Sequence, residues 1–349
     1  MNMKSVAVIG YGGQGAWHCD QILKSDVCTL KGTYDIREIR NTAAKNKGIF
    51  VYDSNEAIFA DPTVDVVVIA VPNDSHESLV INALKAGKHV ICEKPVEMSV
   101  ASVDRMIAAA KEADKLFTVH QNRRWDVDFL AMKCLVESDE IGKPLCIESR
   151  VHGSRGIPSD WRCEKEHGGG MIFDWGVHLI DQMLQIYKQK ITRVFCSCSH
   201  ITNKEVDDGF KLELYFEDGA TAHVELGTYN FIAMPRFYMQ AEKGSAIISD
   251  WKHKCHVAKL TKWVEKDVTP VQNAAGITKT MAPRDSLTLD EYDIEIPKSD
   301  VHEFYRNFCL AIDGKAEQIV KHSEIRRVMQ VIEAAFLSDE KKQVLEVNI

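Results

Sequence analysis

The sequence has no apolar run near the roughly 20 residues a bilayer-spanning helix needs, no Lys/Arg-rich block and no C-x-x-C pair. The first absence argues against a membrane span. The second, with a net charge of −8, argues against nucleic acid as a partner. The 10 cysteines are scattered, which argues against a disulfide framework and a zinc site alike. Cys196 and Cys198 fit alternate positions on one strand face. Cys28, Cys92, Cys146, Cys196 and Cys309 sit in apolar sequence, where a free thiol behaves as a small buried hydrophobe. Internal repeats and low-complexity tracts are also missing. Residues 1–5 run directly into an apolar strand and leave no room for a signal peptide, so a soluble, cytoplasmic protein is expected.

What is present is an ordinary globular composition, 45% hydrophobic and 27% charged over 349 residues. That length suits about two domains. To residue 122 strands and helices alternate: strand 6–10, helix 14–25, strand 28–35, helix 37–47, a short strand 50–52 and strand 64–71. Helix 75–86, strand 89–92, helix 99–113 and strand 116–120 follow. Such alternation predicts right-handed crossovers and a doubly wound parallel sheet, with ligands beyond the carboxyl ends of the strands. From about residue 145 the period changes. Segments 145–152, 192–200, 211–216, 220–226, 237–241 and 246–249 favour strands, with turns at Asp218-Gly219 and Lys243-Gly244. The expected fold is therefore α/β over residues 1–122, followed by an α+β domain over 123–349 with an open, mainly antiparallel sheet. Residues 301–311 and 324–337 read as helices, and residues 265–298 have no readable pattern.

Four clusters at strand ends carry the candidate chemistry. Gly10, Gly12 and Gly15 follow the first strand at the spacing of a dinucleotide fingerprint. There the glycines serve the tight turn, the approach of a pyrophosphate and close helix–strand packing. Asp35 ends the next strand, where a ribose-binding acid belongs. Pro72 stops a buried strand, so that Asn73 and His76 can present polar atoms to a ligand, while Asn73, Asp74 or Ser75 can cap the helix behind. Glu93-Lys94-Pro95 places two charges at the sheet mouth, where Lys94 can polarise an oxygen or share its proton. Finally, Gly168-Gly169-Gly170 precedes a helical stretch bearing Asp174, His178 and Asp181 on one face. A carboxylate beside an imidazole raises its basicity and fixes its orientation, which suits a general base. Nothing supplies a further metal ligand, and no metal is expected.

In this order the motifs resemble the glucose–fructose oxidoreductase / inositol dehydrogenase (Gfo/Idh/MocA) family: Gly10-x-Gly12-x-x-Gly15, Asp35, Pro72-Asn73-x-x-His76, Ala86-Gly87-Lys88-His89-Val90, Glu93-Lys94-Pro95, Gly168-Gly169-Gly170 and Asp174-x-x-x-His178. The likeness runs through roughly residues 1–185 and returns at 304–312 and 333–338. It implies a Rossmann domain, a C-terminal domain whose open sheet forms a homodimer or homotetramer, and a Lys94-Pro95 bond that is often cis. It further implies hydride transfer between nicotinamide and a sugar or polyol carbinol. In that chemistry His178 removes the hydroxyl proton, Asp174 positions the hydroxyl or the imidazole, and Lys94 stabilises the oxyanion.

Asn122, Arg123 and Arg124 resemble the segment leaving the Rossmann domain, and Trp161-Arg162 the segment closing over the same region. Together these readings give Lys94, Asp174 and His178 as catalytic. Cofactor contacts fall to Gly10, Tyr11, Gly12, Gly13, Gln14, Gly15, Asp35, Ile36, Arg37, Pro72, Asn73, His76, Glu93, Lys94, Asn122, Arg123, Trp161 and Arg162. Asp35 and Ile36 favour NAD, while Arg37 and Arg40 leave NADP open. Redox-neutral glycoside cleavage with retained NAD is the runner-up function, and a non-catalytic cofactor-binding regulator the third.

Overall fold

A computed structural model describes residues 3–263, 269–284, 286–295 and 297–349 of the chain. Met1 and Asn2, on which the leader expectation partly rests, and several of residues 265–298 lie outside the described residues. The first domain runs β1 (Lys4–Ile9), α1 (Gly13–Ile22), β2 (Cys28–Tyr34), α2 (Glu38–Asn46), α3 (Asn55–Ala60), β3 (Val66–Ile69), α4 (His76–Lys85), β4 (His89–Cys92), α5 (Val100–Glu112) and β5 (Phe117–Val119). Its strands pair in parallel in the order β2-β1-β3-β4-β5. All of Val66–Ile69 is buried, because helices cover both faces and an unbroken apolar run is what such a strand needs. The short strand expected at 50–52 contracts to one parallel bridge, Thr33 to Val51. Counted as a strand, that bridge makes the order 3-2-1-4-5-6, the Rossmann arrangement with its switch point beside β1.

The second domain contains α6 (Val127–Glu137), β6 (Pro144–His152), α7 (Val177–Ile186), β7 (Ile191–Ser199), β8 (Gly209–Phe216), β9 (Thr221–Gly227), β10 (Phe237–Ala241), β11 (Gly244–Ile248) and β12 (Cys255–Leu260). It continues with the small hairpin β13 (Val271–Asn273) and β14 (Gly276–Thr278), then β15 (Leu289–Ile294), α8 (His302–Ile312), α9 (His322–Lys341) and β16 (Leu345–Glu346). Among the described residues nine strands form one sheet, β15-β12-β11-β10-β6-β9-β8-β7-β16. The β6–β9 pair alone in that sheet is parallel. Helices α6, α7 and α9 pack on one face. Leu145 and Cys146 on β6, Tyr238 on β10 and Ile247 on β11 remain partly exposed. Cys146 is thus half-buried and not a core thiol as expected, because its strand has helices on one side of the sheet only.

The C-terminal helices return to the first domain. The Tyr305 hydroxyl lies 2.7 Å from His18 Nδ1, Arg306 pairs with Asp26 at 3.0 Å, and Lys4 with Asp313 at 2.7 Å. On α9, Arg326 pairs with Asp104 at 2.8 Å and the Glu333 carboxylate accepts from Val100 N at 2.7 Å. The Cys28 and Cys309 sulfurs approach to 3.6 Å, both as buried free thiols.

Candidate active site

The glycine turn joins β1 to α1 at the carboxyl edge of the parallel sheet. A Cβ at Gly15 would lie 1.9 Å from the Gly10 carbonyl oxygen, so helix and turn approach too closely for any side chain. A Cβ at Gly12 would meet no protein atom within 4 Å. Gly12 caps α1 without a side-chain hydrogen bond, so the first N–H groups of the helix point outward, as an anion site requires. Gly13 and Gln14 are exposed beside it and Tyr11 is buried. Asp35 stands at the end of β2. Its carboxylate accepts from Tyr11 N at 2.7 Å and Arg37 N at 2.8 Å. The Arg37 guanidinium is 3.6 Å from the same carboxylate with its side chain 59% exposed, and Ile36 is 89% exposed. An adenosine diphosphate end fits here: open space over Gly12, free N–H donors at the start of α1, and a carboxylate fixed at the end of the neighbouring strand.

Beyond the carboxyl end of β4 Lys94 meets Asp174. Lys94 Nζ donates to the Asp174 carbonyl at 2.8 Å and to its Oδ1 at 3.1 Å, across a cis Lys94–Pro95 peptide. Arg162 Nε reaches the other carboxylate oxygen at 3.2 Å, and its guanidinium lies over Trp161 at 4.7 Å. Burial opposes ionisation of Asp174, but the two cations outweigh it and hold the carboxyl below its ordinary range. His178 is buried one turn beyond. Burial first, then the charges of Lys94 and Arg123, push its imidazole well below the ordinary range, and its Nδ1 has no partner. The expected carboxylate–imidazole pairing is absent among the described residues, since Asp174 is engaged by Lys94 and Arg162. The backbone contributes to this. Ile172–Gly176 winds as a π-helical turn before α7, which changes the rotational offset that an i,i+4 spacing assumes. Asp181 leaves the set altogether, because buried Arg124 takes both its oxygens at 2.7 and 2.6 Å.

The glycine run sets this turn in place. Gly170 has φ +103°, and a Cβ there would fall 2.2 Å from Asp207 Oδ1. The Asp207 carboxylate accepts from Met171 N at 2.9 Å and Ile172 N at 2.8 Å. Burial nevertheless pushes its carboxyl up to about 6. No sequence motif pointed to this residue, which lies 33 positions beyond Asp174 in the chain.

The remaining candidates divide. Asn73 is buried and donates to the Gly168 carbonyl at 2.9 Å, tying the loop after β3 to the glycine run. No side-chain cap hydrogen bond opens α4, contrary to the capping expectation for this loop, because Asn73 turns to Gly168 and Asp74 to His167 at 3.1 Å. His76 has its ring nitrogens 2.9 Å from the Pro95 carbonyl and 3.0 Å from that of Val71, so both face backbone inside the protein, next to half-buried Pro72. Glu93 is buried with His18 Nε2 at 2.8 Å and His120 Nδ1 at 2.7 Å from one oxygen. Burial opposes its charge, yet His120 and then His18 hold it well below the carboxylate range. Asn122 Oδ1 is buried without a partner, an acceptor left for a ligand group such as an amide. Arg123 bonds Asp126 at 3.0 Å and lies 3.9 Å over the Trp175 ring. No helix of the described residues is long and apolar enough to cross a membrane.

Comparison with known proteins accords with this geometry. Residues 4–121 match a model described as an oxidoreductase family with an NAD-binding Rossmann fold, and residues 129–247 match a GFO/IDH/MocA C-terminal domain. A myo-inositol 2-dehydrogenase from Thermotoga maritima is 32% identical over 227 residues, 63% of this chain and 67% of that protein. An uncharacterized oxidoreductase from Schizosaccharomyces pombe is 33% identical over 329 residues, covering 87% of this chain and 88% of its own. The crystal structure of an NAD-binding protein from Listeria innocua superposes with a TM-score of 0.96 at 41% identity, over 99% of this chain and 100% of that one.

Proposed function

Because the chain belongs to the Gfo/Idh/MocA family of NAD-binding oxidoreductases, we propose that it transfers a hydride between nicotinamide and a carbinol carbon of a sugar, polyol or sugar derivative. The observation that carries this reading is the meeting of Lys94 from the parallel sheet with Asp174, one helical turn before His178. A bound nicotinamide supplies the hydride acceptor. The protein's own groups do the rest. His178, held neutral, takes the proton of the reacting hydroxyl, Lys94 stabilises the developing alkoxide, and Asp174 keeps the ammonium in place. Asn122, with its unpartnered Oδ1, would hold the nicotinamide end, Asn73 would act through the Gly168 carbonyl it binds, and Gly12 and Asp35 would hold the adenosine end.

Asp35 supports NAD over NADP, since its carboxylate repels a 2′-phosphate; exposed Arg37 is the competing feature. The partly exposed face of the second sheet supports a homodimer or homotetramer, and we place the border between the domains after residue 122. The test is a panel of sugars, glycosides and cyclic polyols with NAD and NADP, read at the reduced-nicotinamide band and by product analysis. Stoichiometric NADH is the expected result. Aglycone release without net NADH identifies a redox-neutral glycosidase, and binding without turnover a regulator.

A further inference from the structure

Two tryptophans flank the candidate site, Trp175 within the Asp174-x-x-x-His178 stretch and Trp251 outside every motif. Trp175 follows Asp174, and its indole meets the His178 ring edge-on with centroids 6.1 Å apart. The Arg123 guanidinium covers it at 3.9 Å, so that face is taken. Trp251, in the connection between β11 and β12, lies 6.1 Å from Trp175 and is 49% exposed. It is backed by Arg236, 5.0 Å from its ring. Arg236 is itself immobilised: Asp128 lies 3.0 Å from its Nε, and it donates to Ser149 at 2.7 Å and to Gln182 at 3.1 Å. Gln182 stands one turn beyond His178 on α7 and also donates to the Arg123 carbonyl at 2.9 Å. One helix therefore fixes both the proposed base and the support of an outward indole.

The geometry points to Trp251 as a specificity-determining platform that stacks on the C–H face of a ring-shaped sugar or cyclic polyol. This rests on the oxidoreductase reading above. A cyclic polyol carries hydroxyls around its rim and C–H groups on its faces. The rim can then meet Lys94 and Asp174 while a face lies on the indole, whose π cloud attracts the weakly positive hydrogens. An open-chain polyol has no such face and must be ordered before it can present one, which costs conformational entropy. Trp251 thus favours rings without touching the reacting atoms.

The experiment compares wild type, Trp251→Ala and Trp251→Phe with NAD at saturation, using myo-inositol and glucose as ring probes and sorbitol as the open-chain probe. Expected for Trp251→Ala is an increase of about tenfold in KM for the ring probe that is turned over, with kcat within about twofold. KM for sorbitol and the Kd for NAD stay unchanged, and Trp251→Phe recovers most of the loss. Sedimentation of the variants matches wild type. Equal KM shifts for ring and open-chain probes, no shift, or a shift that appears only with altered sedimentation overturns the platform while the oxidoreductase reading stands. A wild-type protein that reduces NAD with no alcohol overturns both.

Discussion

At the scale of single residues, the contest for Asp174 decides the chemistry. Two cations claim its carboxylate, and His178 is left buried among positive charge. The imidazole is therefore neutral, and able to accept a proton, at pH values where an ordinary histidine is already charged. The acid limb of kcat/KM, which reports the free enzyme, is expected below pH 6.5. A limb at or above that value would remove His178 from the proposed role. His178→Ala should lower turnover by roughly a hundredfold or more at saturating NAD, and Lys94→Ala should lower it through loss of alkoxide stabilisation. Asp207 behaves oppositely to Asp174. Its carboxyl is raised to about 6, so the unfolded chain ionises first as pH rises, and the folded state is penalised between roughly pH 4 and 6. Asp207→Asn removes that penalty. Relative to wild type it should gain up to about 3 kcal/mol between pH 4 and pH 7 and nothing further above. Urea unfolding across that range measures the difference; a constant gap would show that Asp207 is not raised.

At the scale of elements, the β1–α1 unit separates two kinds of glycine. Gly15→Ala drives a methyl onto the Gly10 carbonyl and should destabilise by roughly 3 kcal/mol. Gly12→Ala meets open space, so stability should stay within about 0.5 kcal/mol of wild type, while the dinucleotide is displaced and its Kd rises about tenfold or more. Paired thermal melts and NAD titrations distinguish the two; loss of stability in Gly12→Ala would contradict the open cradle. This unit was readable because turn, strand and helix each leave a local trace in sequence, as do the hydrophobic run of β3 and the hairpin at Asp218-Gly219. Other elements left none. Helices α3 and α6 are short or follow a 3₁₀ turn, and β12 and β15 alternate too weakly to stand out at the sheet edge. The partners of Asp174, His178 and Glu93 come from Arg162, Arg123, His18 and His120, and only the tertiary fold brings them there. Spacing correctly put Asp174 and His178 in one helical region, yet it could not reveal that a π turn and Lys94 would part them.

At the scale of the molecule, the two sheets are held in register by helices that come last in sequence. Tyr305 reaches His18 on α1, Arg306 and Asp313 reach the edges of β1 and β2, and α9 lies between α5 and the second sheet. A chain ending at residue 300 should lose hydrogen-exchange protection in β1 and β2 as well as in β7, which α9 covers. Protection confined to the first sheet would show instead that it folds alone. The same closure bears on how the protein is made. Ribosomes deliver the nucleotide-binding half first, but its surface at His18, Asp26 and Val100 waits for Tyr305, Arg306 and Glu333, which follow 287, 280 and 233 residues later. The nascent parallel sheet should therefore remain open to protease until residues 301–349 clear the exit tunnel.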